Sequence, residues 1–310
     1  MSDNSFEQRY QQLLADGIAP STARAHERDR QRFWDYCEKV HGIQPTYPVP
    51  IQLVLNYIMD NISESSEGNA LKVSTVKRYV ASVSVEQQAH GHDSLLSNPK
   101  IKILLRRAKR ALPNQHPKKK RPITANVLQQ LLNTCDDSLR GVRNKAILSV
   151  GFAGGRRRSE LVKLKVEDIS KTDNGYTLTL KKSKTDKQCK GMKVPLTGFA
   201  ALALKTWLVR SGIREGHVFR GIMPDNRIKQ SPISGGSINN LIKTCIKKAG
   251  LNKDDYSAHS LRSGFMTEAI RQGISLQEAM QLSGHKDMKV AHGYYRETEL
   301  ENNRAAELIK

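Results

Sequence analysis

The segment Pro113-Asn114-Gln115-His116-Pro117-Lys118-Lys119-Lys120-Arg121-Pro122 constrains the chain most strongly. Proline lacks the N–H that a helix interior requires, and successive like charges repel, so this stretch is expected to be extended and cationic. It separates two helical stretches, which predicts a first domain over residues 1–112, a basic linker over 113–122 and a second domain over 123–310. At 310 residues the chain can give each domain its own core. Lysine runs such as Lys118 to Arg121 are also read as nuclear-localisation signals. A position between two folded segments, away from a tail, favours a linker.

Before the linker the apolar residues follow the 3.6-residue helical period. Phe6, Tyr10, Leu13 and Leu14 predict a helix closed by Gly17. Ser21 is positioned to cap a second, with Phe33, Cys37 and Val40 on one face as far as Gly42. Ile51, Val54, Leu55 and Ile58 predict a third, and Val76, Val80 and Val83 a fourth. The fifth, from Pro99 to Leu112, turns Ile101, Leu104, Leu105 and Ala108 inward and Lys102, Arg106, Lys109 and Arg110 outward. After the linker, Thr124 is placed to cap a helix carrying Val127, Leu128, Leu131 and Leu132. Another helix runs from Leu139 to Phe152 and stops at Gly154-Gly155. The next begins near Arg157, which sets Arg156, Arg157 and Arg158 at a helix N-terminus, where the dipole favours an anion. From Val166 to Leu196 the period approaches two. Tyr176, Leu178 and Leu180 alternate after Asp173-Asn174-Gly175, and Met192 to Leu196 is the expected return strand, so Lys184 falls in a β-hairpin turn. From Ser237 onward the chain reads as helical again. The fold class is therefore mainly α, a helical bundle followed by an α-rich domain with a small antiparallel sheet.

The formal charge is +21 at pH 7, and it is grouped. Arg106, Arg107, Lys109, Arg110, Lys118, Lys119, Lys120, Arg121 and Arg156 stand in blocks that suit a polyanionic backbone. The four cysteines show no paired spacing, which favours reduced thiols over disulfides or structural zinc. No apolar run approaches the roughly 20 residues that span a bilayer, and no export signal is recognisable. The expectation is a cytoplasmic, nucleoid-associated protein without a membrane partner.

The chemistry concentrates late in the chain. His259-Ser260-Leu261-Arg262 is followed by Gly284-His285 and then by Gly293-Tyr294-Tyr295-Arg296. Arginine holds phosphate oxygens bidentately, histidine moves a proton, and a tyrosine oxygen can attack phosphorus. Arg157 and Arg262, from different elements, are candidates for the charge that develops on the non-bridging oxygens. A free tyrosine has a pKa of about 10, so its attack needs nearby cations and a base, for which His259 is suited. Lys184 is placed to protonate a leaving oxygen and His285 to donate to a phosphate oxygen. His259, His285 and His292 as zinc ligands would leave both arginines unexplained. No carboxylate pair has two-metal spacing and no nucleotide loop is present, so neither metal nor other cofactor is expected.

As a set, these residues resemble the signature of the tyrosine recombinases, the family of the phage integrases, Cre and Xer. That signature has an arginine before Ser-Glu-Leu, a lysine in a β-hairpin, HxxR, GH and then a tyrosine. Matched to it, Arg157, Lys184, His259, Arg262 and His285 are the expected catalytic residues, Tyr294 (not Tyr295) is the nucleophile, and Glu160 supports the site. Arg156 stands where the family more often has an apolar residue, and is expected to make the phosphate pocket more basic. The resemblance implies a helical, SAM-like core-binding domain that clamps DNA, a catalytic domain with a C-terminal tail helix, and the simple Cre and Xer layout without an arm-type domain. It also implies a 3′-phosphotyrosyl intermediate, a Holliday junction, and a homotetramer on two double-stranded DNA sites with inverted repeats. The tail from Glu297 to Lys310 suits docking on a neighbouring protomer. The rivals are a type IB topoisomerase-like activity, separated by strand exchange against relaxation, and a binding protein that kept the fold without catalysis.

Overall fold

The computed structural model describes residues 17–62, 70–112, 120–180 and 191–301, the side chains of 295–301 excepted. The expected helix near Phe6, Lys118, Lys119, Lys184 and the tail beyond 301 lie outside the described residues. The chain forms two compact units, Met1–Pro117 and Lys118–Lys310.

In the first unit, α1 (Pro20–His41), α2 (Ile51–Ile62), α3 (Val73–Ala89) and α4 (Pro99–Ala111) form a bundle in which α1 packs chiefly on α3. Phe33 of α1 is its centre, with edge-to-face contacts to Trp34 and Tyr57 at centroid distances of 5.0 and 4.9 Å. Helix α1 begins one residue earlier than the expected Ser21 cap. Pro20 occupies the first turn, where its fixed φ is already helical, and Ala19 is the N-cap. Val40, in the last turn, is exposed, although Phe33 and Cys37 on the same stripe are fully buried. In α4, Ile101, Leu105 and Ala108 are buried and the cations lie outside.

The second unit opens on the end of the basic segment. Arg121 N–H donates to the Asp255 carbonyl at 2.7 Å and Ile123 N–H to that of Ser260 at 2.9 Å. The Lys120 ammonium donates to the Asp254 carbonyl. From Lys120 onward, therefore, the segment is held against the second unit. Helices α5 (Ala125–Asn133), α6 (Leu139–Phe152) and α7 (Arg158–Lys163) follow. Thr124 is the N-cap of α5 without using its hydroxyl. The Glu268 carboxylate accepts from Ala125 N–H at 3.2 Å instead.

Strands β1 (Ile169–Thr172), β2 (Gly175–Leu180) and β3 (Met192–Thr197) form an antiparallel sheet in the order β1-β2-β3. Leu178 pairs with Val194 and Leu180 with Met192, which puts the alternating apolar residues on the core face. Two features had no sequence expectation. Helix α8 (Gly198–Ser211) packs on α6, with Trp207 fully buried and its indole N–H donating to the Val218 carbonyl at 2.8 Å. A second, two-stranded sheet joins β4 (Arg220–Ile222) to β5 (Ile228–Pro232). Helices α9 (Gly235–Lys248), α10 (His259–Arg271), α11 (Leu276–Ser283) and α12 (Met288–Glu301) complete the unit. Gly264 on α10 lies so close to Ile123 that a Cβ there would enter its carbonyl group, which lets α10 sit directly against the end of the basic segment. No helix among the described residues is long and apolar enough to cross a membrane.

Candidate active site

Three segments of the second unit meet at one place. The turn after α6 delivers Arg157 as the N-cap of α7, the first turn of α10 carries His259 and Arg262, and the C-terminus of α11 delivers His285. Gly284 caps α11 with φ +70, a left-handed conformation that glycine adopts without a Cβ penalty, and it folds His285 back toward the helix. Helix α12 packs across α10 and α11, with Ala291 and half-buried Tyr294 against Met266, Ala269 and Ala279.

The packing places the Tyr294 hydroxyl 3.0 Å from His259 Nε2. The His285 ring lies 5.9 Å from that of Tyr294, centroid to centroid. Arg262 is 1% exposed, and its Nη1 donates to the carbonyls of Gly155, at 2.8 Å, and Ser283. Its Nε donates to His285 Nε2 at 3.1 Å. Its Nη2 is shut off from solvent and has no hydrogen-bond partner among the described residues. Arg157 is pinned by Glu160, whose Oε2 accepts from the Arg157 backbone N–H at 3.0 Å and whose Oε1 accepts from Nη1 at 2.8 Å. Arg157 Nη2 donates to the Gly284 carbonyl at 3.1 Å. The carbonyls around Arg262 do not neutralise its charge, whereas Arg157 is ion-paired with Glu160 at 2.8 Å.

Desolvation first, and that positive environment second, set the protonation of the histidines. Partial desolvation of a ring that keeps an exposed edge, then Arg262 and Arg157, hold His259 below the usual histidine range. Burial and the same two arginines, with smaller effects from His259 and Arg156, push His285 down to about 3. Both rings are therefore neutral at pH 7, and in the tautomer that carries its proton on Nδ1 the His259 Nε2 accepts from the Tyr294 hydroxyl. Burial and Arg157 lower Arg262 only to about 10, so it stays charged. An unfolded histidine takes up its proton near 6.5, whereas folded His285 refuses it down to about 3. Between those values the unfolded chain binds more protons. Stability is then full above about pH 6.5 and falls as the pH drops, by about 1.4 kcal/mol per unit for this one residue. Denaturant unfolding of the wild type and His285→Gln between pH 7 and pH 4 is expected to show a shallower acid slope in the variant. Parallel slopes would disprove the burial of a neutral His285.

Three expectations change. Arg156, expected as a DNA contact in the phosphate pocket, is 1% exposed and faces inward. Its guanidinium donates to the carbonyls of Gly154 and Leu282 and lies 3.5 Å from Glu160, so it ties the α6–α7 turn to the end of α11. With Nε and Nη2 on carbonyls and Nη1 toward Glu160, this buried guanidinium is committed to the protein's own acceptors. Second, His285 Nε2 is occupied as an acceptor of Arg262, which leaves no donor on that nitrogen for a phosphate oxygen. Third, the exposed cations of α4 do not share one face. Arg106 and Lys109 join Lys72, Lys77 and Lys102 around a groove of about 670 Å³ floored by Val73, Leu96, Leu105 and Leu112. Arg107 and Arg110 are exposed outside that lining.

Lys184 lies in the connection between β2 and β3, outside the described residues, as do Lys118 and Lys119, whereas Lys120 and Arg121 are exposed. Sequence reasoning missed Lys72 and Lys77, which no local motif marks. It also missed Ser283, whose hydroxyl is 2.7 Å from His285 Nδ1. The carbonyls of Gly155, Ser283 and Gly284 were not legible, because a backbone acceptor carries no residue identity. Among the described residues no group of three or more His, Cys, Asp or Glu is placed to hold a metal ion.

Residues 121–301 match the profile of the phage integrase family. The chain is 31% identical over 291 residues to an integrase/recombinase xerD homolog of Selenomonas ruminantium, covering 91% of this chain and 83% of that one. Its fold is similar to that of lambda integrase in a dimer bound to a COC′ core site, with TM-score 0.60, 18% identity, and coverage of 95% of this chain and 77% of the other. Lambda integrase in a tetramer bound to a Holliday junction matches at TM-score 0.59 and 18% identity, over 94% of this chain and 76% of that one.

Proposed function

This chain belongs to the phage integrase family and is a site-specific tyrosine recombinase, and on that premise we propose that Tyr294 is its nucleophile. The observation that carries the reading is the 3.0 Å approach of Tyr294 Oη to His259 Nε2 beside two charged arginines. His259 takes the phenolic proton as Oη attacks phosphorus. Arg157 and Arg262 hold the non-bridging oxygens as negative charge builds on them. Arg262 Nη2 is unpaired and shut off from solvent, so it joins in only when its surroundings shift to admit a phosphate oxygen, which would offset the roughly 1–3 kcal/mol cost of an unpaired buried donor. The bond from phosphorus to the 5′ oxygen breaks, and Lys184 supplies that oxygen with a proton. The product is a 3′-phosphotyrosyl link and a free 5′ hydroxyl. Attack of that hydroxyl on the equivalent link of a partner duplex exchanges strands at nearly constant energy, because one phosphodiester replaces another.

In this reading the first unit clamps double-stranded DNA with the cations around the Lys102–Arg106–Lys109 groove, and the basic segment up to Arg121 follows the phosphates. Four protomers on two inverted-repeat sites pass through a Holliday junction, as the tetramer of the structurally similar lambda integrase is bound to one. The test is to incubate the full chain with fragmented DNA, quench in detergent and sequence whatever stays attached. Covalent complexes that share one inverted-repeat sequence are expected. Tight binding without any covalent product would overturn the reading.

A further inference from the structure

From the hydrogen bonds around His285, we infer that Ser283 is a positioning residue whose hydroxyl holds the imidazole in its Nδ1–H form, keeping Nε2 an acceptor for Arg262. The direction of each bond follows from which group can donate. Arginine has no acceptor, so at the 3.1 Å contact Arg262 Nε–H must donate and His285 Nε2 must offer its lone pair. A neutral ring then carries its proton on Nδ1. That nitrogen lies 2.7 Å from Ser283 Oγ, which accepts, and the serine O–H points on toward the Met280 carbonyl at 3.4 Å. The depressed pKa of His285 agrees, since a doubly protonated ring would set two donors face to face.

The surroundings leave Ser283 little freedom to do anything else. It is 0% exposed, so water does not replace its hydroxyl. Its carbonyl accepts from Arg262 Nη1, the preceding carbonyl of Leu282 accepts from Arg156, and Gly284 turns the chain so that His285 folds back over it. Arg262 thus touches the same short turn twice, through the Ser283 carbonyl and through His285, and Ser283 contributes to both contacts. An unconstrained histidine favours the Nε2–H form. Without the serine hydroxyl the ring would adopt it, Nε2–H would oppose Arg262 Nε–H, and the guanidinium would be pushed from its place.

The consequence for cleavage rests on the proposed phosphate-holding role of Arg262, whereas the ring form does not. The full chain labelled with ¹⁵N-histidine is therefore examined by long-range ¹H–¹⁵N correlation, with His285→Gln to assign the ring. Wild type is expected to show a protonated Nδ1 and an unprotonated Nε2 at neutral pH. Ser283→Ala is expected to shift the ring toward Nε2–H and to slow single-turnover cleavage by about 10- to 100-fold. A wild-type ring in the Nε2–H form, or an alanine variant that keeps Nδ1–H, would overturn the assignment, and the wild-type spectrum alone decides if the variant does not fold. A changed ring form with unchanged cleavage would keep the assignment and overturn the positioning role.

Discussion

Replacing Tyr294 by Phe is expected to remove covalent DNA attachment and to lower strand cleavage by at least about 10⁴-fold, the scale seen when an enzyme loses its nucleophile. The change deletes one oxygen from a half-buried ring that packs with Ala291 against Met266 and Ala279. The packing surface survives, and the lost contact to His259 is an exposed one, so stability should move by less than about 1 kcal/mol. DNA affinity should change little, because the cations are untouched. Detergent-resistant complexes and filter binding on the same preparations separate the two effects. Tyr295→Phe is the control for the neighbouring hydroxyl. Covalent complexes surviving in Tyr294→Phe but lost in Tyr295→Phe would move the nucleophile by one residue.

Arg262→Ala carries the second large effect. The side chain supplies charge to the site and also ties together the Gly155, Ser283 and His285 acceptors from two chain reversals. Cleavage is expected to fall by about 10²–10³-fold, the loss typical when one stabilising donor to a developing oxyanion is removed. Stability should fall by roughly 2–4 kcal/mol, because buried acceptors lose a charged donor. Arg262→Lys should recover little of either, since one ammonium on a flexible stem cannot serve three acceptors laid out for a planar fork. Single-turnover cleavage and denaturant unfolding of both variants check this. Lysine restoring the rate to within about tenfold would show that charge alone matters there and not the fork.

Much of the architecture was legible because it rests on local rules. Ile101, Leu105 and Ala108 share one side of α4, and all three are buried. Tyr176, Leu178 and Leu180 alternate, and Leu178 and Leu180 are buried in β2. Helix α8 escaped notice because Phe199, Leu202 and Val209 are apolar yet exposed, which blurs its amphipathic face. The β4–β5 pair escaped because its strands are short and weakly apolar, and their pairing depends on packing against the rest of the unit. Arg156 shows the limit most clearly. Beside Arg157 and Arg158 it looks like one more surface cation. Only the fold reveals that one of its acceptors is the Leu282 carbonyl of α11, more than a hundred residues onward.

By itself the sequence determined the types of residue available to a phosphodiester, the helical periods that carry them, and the excess of positive charge. Those are properties of side chains and of short-range geometry. The tertiary structure alone decided which of those groups meet, that Tyr294 comes within 3.0 Å of His259, and that Arg156 faces inward while Arg157 faces the site. It also decided that both site histidines are neutral at pH 7. The physical reason is that a histidine's charge depends on burial and on cations brought from distant helices, and a guanidinium's role depends on which carbonyls surround it. Much of both comes from residues far away in the chain, such as Leu282 for Arg156 and Gly155 for Arg262.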